Sequence, residues 1–467
     1  MEYNIFDLPE DMFIEIFTYL KDYDFIQFIK CSKQTYKYIK YKSIQKIMDI
    51  EDALKMKQYK FKNIKYGNGN DNILNYQTSE YLKTEYLDIL RPEKIIINKI
   101  KHKSLSFIPQ HVKIINLNNC YHDSKINTIH NKVETFIFGH DILLSYFDED
   151  EYNNVNFIGE NIKIYNVSLN KFIYLKNLKI GNLYDSSLEL LKLPLSIEKL
   201  IIGNMFNQSI NELSKLKKLK VLKLGHSFNY SINELPNTVE VLSLGIRFNN
   251  NIYKWPLSLK KINILCDIDI NILPITLTYL SCVSNNYNIN FSHLINLKTL
   301  KLTNTFNSNI TSFPKSLTLL EFGNDFNKLC DFKIFPKSLT KLKFGYNFNK
   351  SLNNISMLSN LKELTFIGMF NKPLNNLPTS LIKLNILSKY HRNIKEISHL
   401  TNLKKLKYDS CSSYKIKDLP NSIILLHFGK SFKARIINFP SSLIKIKCEL
   451  YSNVSLINMN SYELKND

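Results

Sequence analysis

A chain of 467 residues with 44% hydrophobic and 12% aromatic side chains can bury a large core, and it is too long for one ordinary compact domain unless it is repetitive. Lysine and arginine number 62 against 41 acidic residues, a net charge of +21, and only Arg91, Arg247, Arg392 and Arg435 are arginines, which favours diffuse attraction over bidentate recognition of anions. The seven cysteines show no Cys-x-x-Cys spacing, the opening Met-Glu-Tyr-Asn-Ile-Phe-Asp is not of signal-peptide type, and no stretch reaches the roughly 18 apolar residues of a membrane helix; a soluble protein of a reducing compartment is expected, in the cytoplasm or the nucleus.

Residues 1–50 have a helical grammar. Asp7 precedes Leu8-Pro9-Glu10-Asp11, an early proline with acids in the first turn, and Phe13, Ile16, Phe17 and Leu20 then recur at helical spacing. A second helical pattern follows Asp24 with Phe25, Phe28 and Ile29. The string from Leu8 to Leu20, with Asp24-Phe25 and Cys31-Ser32-Lys33, resembles the F-box. That resemblance implies docking of a Skp-type adaptor linked to a cullin scaffold, with Leu8, Pro9, Ile16, Leu20 and Phe25 as the adaptor-binding residues. The sequence departs from that family at Asp22, where a proline is common, and at Thr35, where an aromatic is common.

Residues 51–105 read as a partly helical linker: Gly67-Asn68-Gly69-Asn70-Asp71-Asn72 is a turn-rich break, and Leu82, Tyr86, Leu87 and Leu90 make a helix before Arg91-Pro92. Residues 106–189 read as degenerate leading repeats, carried by Pro109 to Leu117 and by Val133-Glu134-Thr135-Phe136-Ile137-Phe138-Gly139. The acidic run Asp148-Glu149-Asp150-Glu151 lacks the alternating ligand spacing of a cation loop, and the histidines between His102 and His140, with Cys120-Tyr121-His122 among them, recur at no metal-finger spacing. No metal or cofactor is expected.

From residue 190 to 457 one phrase keeps returning. Prolines at 194, 236, 256, 274, 314, 336, 378, 420 and 440 stand one or two steps of a period near 21 apart, and interleaved copies such as Leu219-Lys220-Val221-Leu222-Lys223-Leu224 lack the proline, giving 13 units in all. Such a period with Leu-x-x-Leu-x-Leu spacing is the mark of a solenoid. One unit buries only three or four side chains worth about 1.5–3 kcal/mol each, against about 1–2 kcal/mol of backbone entropy for every ordered residue. Only stacked neighbours can fold. Within a unit Leu339, Leu342 and Phe344 should point inward and Lys341 and Lys343 outward. The glycine that follows the strand, as at Gly203, Gly225, Gly323, Gly345 and Gly429, is expected to permit a sharp bend. Phe206, Phe228, Phe248, Phe306, Phe326, Phe348 and Phe370, each followed by asparagine, should form a core spine, with the asparagine hydrogen-bonding the turn backbone.

Phe-Asn-x-x-Ile followed by Pro-x-Ser-Leu-x-x-Leu resembles the FNIP repeat, a leucine-rich-repeat relative abundant in social amoebae and in giant DNA viruses of amoebae. The likeness covers about 190–457, with departures at Cys266-Asp267-Ile268, Tyr287-Asn288 and Tyr390-His391, where irregular stacking is expected. The expected fold class is α+β, a helical F-box followed by a leucine-rich-repeat-like solenoid of short parallel strands, with residues 458–467 as a tail.

Outward strand positions across the 13 units include 11 lysines and two acids among 26 residues, and the bias thickens toward the C-terminus. Lys341, Lys343, Lys383, Lys405, Lys407, Lys445 and Lys447 are therefore the candidate target-binding face, suited to an acidic protein target. The function expected is that of a non-enzymatic substrate receptor of a ubiquitin ligase. A repeat scaffold without a ligase link is the alternative. Nucleic-acid binding is disfavoured by scarce arginine and by the lack of interleaved exposed aromatics. No phosphate loop, His-Glu-x-x-His or Gly-x-Ser-x-Gly is present to suggest an enzyme.

Overall fold

The computed structural model describes residues 43–44, 48–49, 60–61, 63–66, 94–97, 105–118, 123–139, 168–283, 288–448 and 463–466, apart from 107, 389, 393, 410–414, 431 and 433. The expected F-box helices, the linker helix around 82–90, the acidic run at 148–151 and Cys120-Tyr121-His122 lie outside the described residues, as do Leu8, Pro9, Ile16, Leu20 and Phe25.

The chain divides into two compact units, Met1–Val239 and Glu240–Asp467. In the first, the short strands Met48–Asp49, Asn63–Tyr66, Lys94–Ile97, Ile114–Asn118, Thr135–Gly139, Asn177–Ile180, Lys199–Ile202 and Val221–Lys223 each pair in parallel with the next. In the second the same holds from Val241–Leu244 through Lys261–Asp267, Tyr279–Val283, Thr299–Leu302, Leu319–Glu321, Lys341–Phe344, Glu363–Gly368, Lys383–Ser388, Lys405–Tyr408, Leu425–Phe428 and Lys445–Cys448 to Glu463–Asn466. The return segments are short 3-10 helices, such as Asn211–Lys215 and Phe332–Ile334, and among the described residues there is no α-helix. The solenoid half of the expected α+β class is thus what the structure shows; the helical half concerns residues it does not describe.

Four devices repeat with the period and explain why this sequence stacks. Alternation on the strands is the first: Leu200 and Ile202, Leu342 and Phe344, Leu406 and Tyr408 are buried, and the residues between them face outward. Next, the residue before each strand and its first residue donate to one carbonyl a repeat earlier, Glu198 and Lys199 to Lys176, Thr340 and Lys341 to Thr318, Lys404 and Lys405 to Ile382. Third, the serine of Pro-x-Ser seals the turn. Ser196 Oγ donates to the Leu175 carbonyl and Ser316 Oγ to that of Leu297, both at 2.8 Å. Where the proline is missing, an asparagine takes over, Asn360 Nδ2 donating to the Lys337 carbonyl at 2.9 Å and Asn402 Nδ2 to that of Thr379 at 3.0 Å.

Phe-Asn is the fourth device. The rings stack along the solenoid axis, Phe206 on Phe228 at 6.1 Å and 0°, and Phe326, Phe348 and Phe370 at 6.0 and 6.1 Å with interplanar angles of 9° and 2°. Phe322, one residue past its strand, and the strand residues Phe344 and Phe366 form a second stack beside the first, each about one ring thickness from its partner, as in Phe344–Phe348 at 3.8 Å. Asparagine side-chain oxygens accept the backbone N–H one repeat later: Asn207 from Asn229, Asn307 from Asn327, Asn327 from Asn349 and Asn349 from Asn371, the last two at 3.1 Å. Asparagine therefore pairs turn groups that would otherwise be left without a partner.

Two expectations are corrected. The glycines do not serve a bend: Gly368, at φ 77°, is the one described glycine with positive φ. A Cβ on Gly225, Gly323 or Gly345 would instead run into the backbone oxygen of Gly203, Thr303 or Gly323 in the turn beneath. Glycine is needed because successive turns come too close for a side chain. Nor does Tyr390-His391 interrupt the spine. Tyr390 stacks on Phe370 at 6.3 Å and 8°, its hydroxyl reaches the Lys372 carbonyl and Glu396 Oε2, both at 3.3 Å, and His391 N–H still donates to Asn371 Oδ1. Around Cys266-Asp267 the register does shift, between Ile264 and Asp267, while Tyr287 lies outside the described residues.

Candidate functional site

Parallel register puts the outward residues of the second unit in two columns. One runs Lys341, Glu363, Lys383, Lys405, Leu425, Lys445; the other runs Lys343, Thr365, Asn385, Lys407, His427, Lys447. All seven lysines singled out from sequence stand on this face, Lys341 and Lys405 exposed and the other five half-buried. Adjacent strands are about 4.8 Å apart, so residues of one column are direct neighbours, Lys383 beside Lys405 and Leu425 beside Lys445 among them.

Glu363 is what the sequence did not reveal. Its carboxylate sits between two of these lysines, Oε1 at 2.6 Å from Lys383 Nζ and Oε2 at 3.4 Å from Lys341 Nζ. Partial burial opposes its ionisation, but the hydrogen bond from Lys383 and the charges of Lys383 and Lys341 outweigh that and hold the carboxyl below its ordinary range. Lys301 is similarly matched by Glu321 at 3.1 Å. Beside Glu363 the second column turns neutral and buried, with Asn385 Nδ2 donating to Thr365 Oγ1 at 2.8 Å. The cationic surface is accordingly densest on the three strands after residue 404, where Lys405, Lys407, Lys445 and Lys447 frame Leu425 and His427 in register.

A different edge carries cations that sequence reasoning passed over. The triplet Phe-Asn-Lys recurs as Phe326-Asn327-Lys328, Phe348-Asn349-Lys350 and Phe370-Asn371-Lys372, and the next copy reads Tyr390-His391-Arg392. That recurrence was the signal available for finding it.

Among the described residues no three His, Cys, Asp or Glu side chains gather as a metal site. No described helix is long and apolar enough to cross a membrane.

Comparison with known proteins gives two family matches: residues 5–46 match the F-box domain and residues 326–368 match the FNIP repeat. The second span coincides with the double phenyl stack. Among solved structures, CroV588, described as a novel circular LRR protein, is 25% identical with a TM-score of 0.55, the alignment covering 82% of this chain and 57% of that one. This chain thus spans little more than half the length of that protein. An LRR protein of Leptospira interrogans (17% identical, 89% and 95% covered, TM-score 0.39) and an internalin of Listeria monocytogenes (18% identical, 62% and 83% covered, TM-score 0.37) are more distant neighbours. No curated protein sequence gives a significant match.

Proposed function

We propose that this chain, an F-box and FNIP-repeat protein of leucine-rich-repeat-like build, is a non-catalytic substrate receptor of a Skp–cullin–F-box type ubiquitin ligase, acting in the cytoplasm or nucleus. The observation that carries the reading is the union on one chain of an F-box match at 5–46 with a solenoid whose strands present a lysine-rich outward face. Residues 1–50 dock the adaptor through Leu8, Pro9, Ile16, Leu20 and Phe25, and the repeats from about 106 to 457 hold the target. Short helical modules of that size bury little by themselves and gain stability from a partner surface.

The face including Lys341, Lys343, Lys383, Lys405, Lys407, Lys445 and Lys447 favours an acidic target, because long-range attraction speeds encounter with a partner of opposite sign. No side chain of this chain performs chemistry in that role; the protein brings target and transfer machinery together.

Affinity capture of the full chain beside a variant with Leu8, Pro9 and Ile16 changed to charged residues tests the proposal. Adaptor and cullin should be recovered with the wild-type chain and lost with the variant. Recovery with neither sinks the ligase reading and leaves a repeat scaffold.

A further inference from the structure

We infer that the return edge of the second unit holds a second docking site, distinct from the strand face, for an acidic segment bearing one apolar side chain of leucine or phenylalanine size. The site has an anchor pocket and a charged track beside it.

The pocket exists because two regularities fail at one repeat. Four positions after the spine phenylalanine, the other six Phe-Asn units carry Ile210, Ile232, Ile252, Ile310, Leu352 and Leu374; here the residue is Cys330. In addition, the return strands Asn288–Asn290 and Asn309–Ser312 pair with each other, but the following return is the 3-10 helix Phe332–Ile334, capped by Asp331 whose Oδ1 accepts the Lys333 N–H at 3.0 Å. A strand and a 3-10 helix rise by different amounts per residue, so they cannot pack flush. A smaller side chain at the same level leaves a cleft of about 150 Å³ lined by Phe313, Phe322, Phe326, Cys330, Ile334 and Phe335. On its rim Leu329 is 71% exposed. The floor is phenyl and aliphatic, while Ser308, Asn309, Lys328 and Asp331 stand with Leu329 round the mouth; a small apolar pocket rimmed by polar groups suits one anchoring side chain of a docking segment.

The track begins at the same repeat. Lys328 lines the cleft, and Lys350, Lys372 and Arg392 occupy the equivalent place in the next three turns. The Asn327, Asn349 and Asn371 side chains, each accepting an N–H from the following turn, lock those turns in step. In earlier repeats the place is held by Gln208, Tyr230, Asn250 and Ser308. Arg392 is answered by Glu396 at 3.7 Å. Lys328, Lys350 and Lys372 have no carboxylate partner among the described residues, unlike Lys341 and Lys383 on the strand face. Like charges stacked one strand spacing apart repel, and an anionic segment lying along them relieves the repulsion. Charge complementarity therefore selects an acidic partner, and the pocket at one end fixes its register.

The test uses the full chain and a fluorescein-labelled synthetic peptide of one phenylalanine, a glycine and a run of glutamates, with two companions in which alanine replaces the phenylalanine or glutamines replace the glutamates. Wild type should prefer the phenylalanine peptide over its alanine companion by about tenfold and should not bind the glutamine companion. Cys330→Ile, or the milder Cys330→Val if the first fails to fold, should erase the phenylalanine preference while keeping the glutamate dependence. Changing Lys328, Lys350 and Lys372 to Gln should erase the glutamate dependence, whereas Lys405→Gln with Lys407→Gln should leave peptide binding unchanged. Equal binding of the phenylalanine and alanine peptides to wild type, an unaltered preference in the filled-pocket variants, or a loss caused by the strand-face pair would each overturn the inference.

Discussion

The Oδ1 atom of Asn327 accepts the backbone N–H of Asn349, 22 residues later, at 3.1 Å, and Asn349 does the same for Asn371. A side chain thus serves an N–H that the backbone bonds between the same turns, such as Asn347 N–H to the Asn324 carbonyl, do not reach. Replacing Asn327 with Leu should cost about 1 kcal/mol, read as a lower urea midpoint. Asn327→Asp should cost less, since Asp185 already plays this part for the Asn207 N–H at 2.7 Å. Equal losses for the two would argue that packing and not the acceptor matters.

Gly345→Ala places a methyl group against the Gly323 carbonyl. Because φ at Gly345 is not positive, a purely conformational view makes this change neutral or stabilising. Close stacking instead predicts a loss of about 1–3 kcal/mol, with hydrogen exchange quickened in the turns on either side. A variant as stable as wild type would show that the turns can part at little cost.

Phe348 touches Phe326 and Phe370 along the spine and Phe344 across it. Phe348→Ala should cost about 3–5 kcal/mol, while Phe348→Tyr should be tolerated only if its hydroxyl finds an acceptor, as that of Tyr390 does. Thermal unfolding of the two variants separates ring stacking from hydroxyl burial.

Glu363 has a lowered carboxyl pKa in the folded chain. Its ion pairs contribute stability that is present above the ordinary glutamate pKa and is lost as pH falls through the depressed folded value. The difference in stability between wild type and Glu363→Gln should therefore be largest near neutral pH and shrink on acidification. A difference independent of pH would mean that Lys341 and Lys383 do not depend on the carboxylate charge.

Target association through the strand face should fall with salt, and should weaken when Lys405, Lys407, Lys445 and Lys447 are changed to Glu. Glu363 already answers Lys341 and Lys383, so reversing those two should matter less. The salt slope of each variant, measured against one acidic target, decides which lysines take part.

The sequence alone determined the period, the inward leucines, the phenyl spine and the outward lysines, because each is written within a single repeat and is set by backbone periodicity. Asn as turn bracket was legible for the same reason: a polar side chain beside a buried ring has few places to go. What only the tertiary structure decided lies between repeats. The glycines looked like bends until the turn beneath them was in place, and their true constraint is a carbonyl some 20 residues away. Glu363 looked like one more outward residue until register set it between Lys341 and Lys383. Cys330 stands where the other Phe-Asn units have isoleucine or leucine, and only beside a strand-to-3-10 change does that smaller side chain open a cleft. Stacking brings together residues one turn apart along the solenoid, and the closeness of that approach depends on every side chain between them, so it can be read only once the turns are assembled.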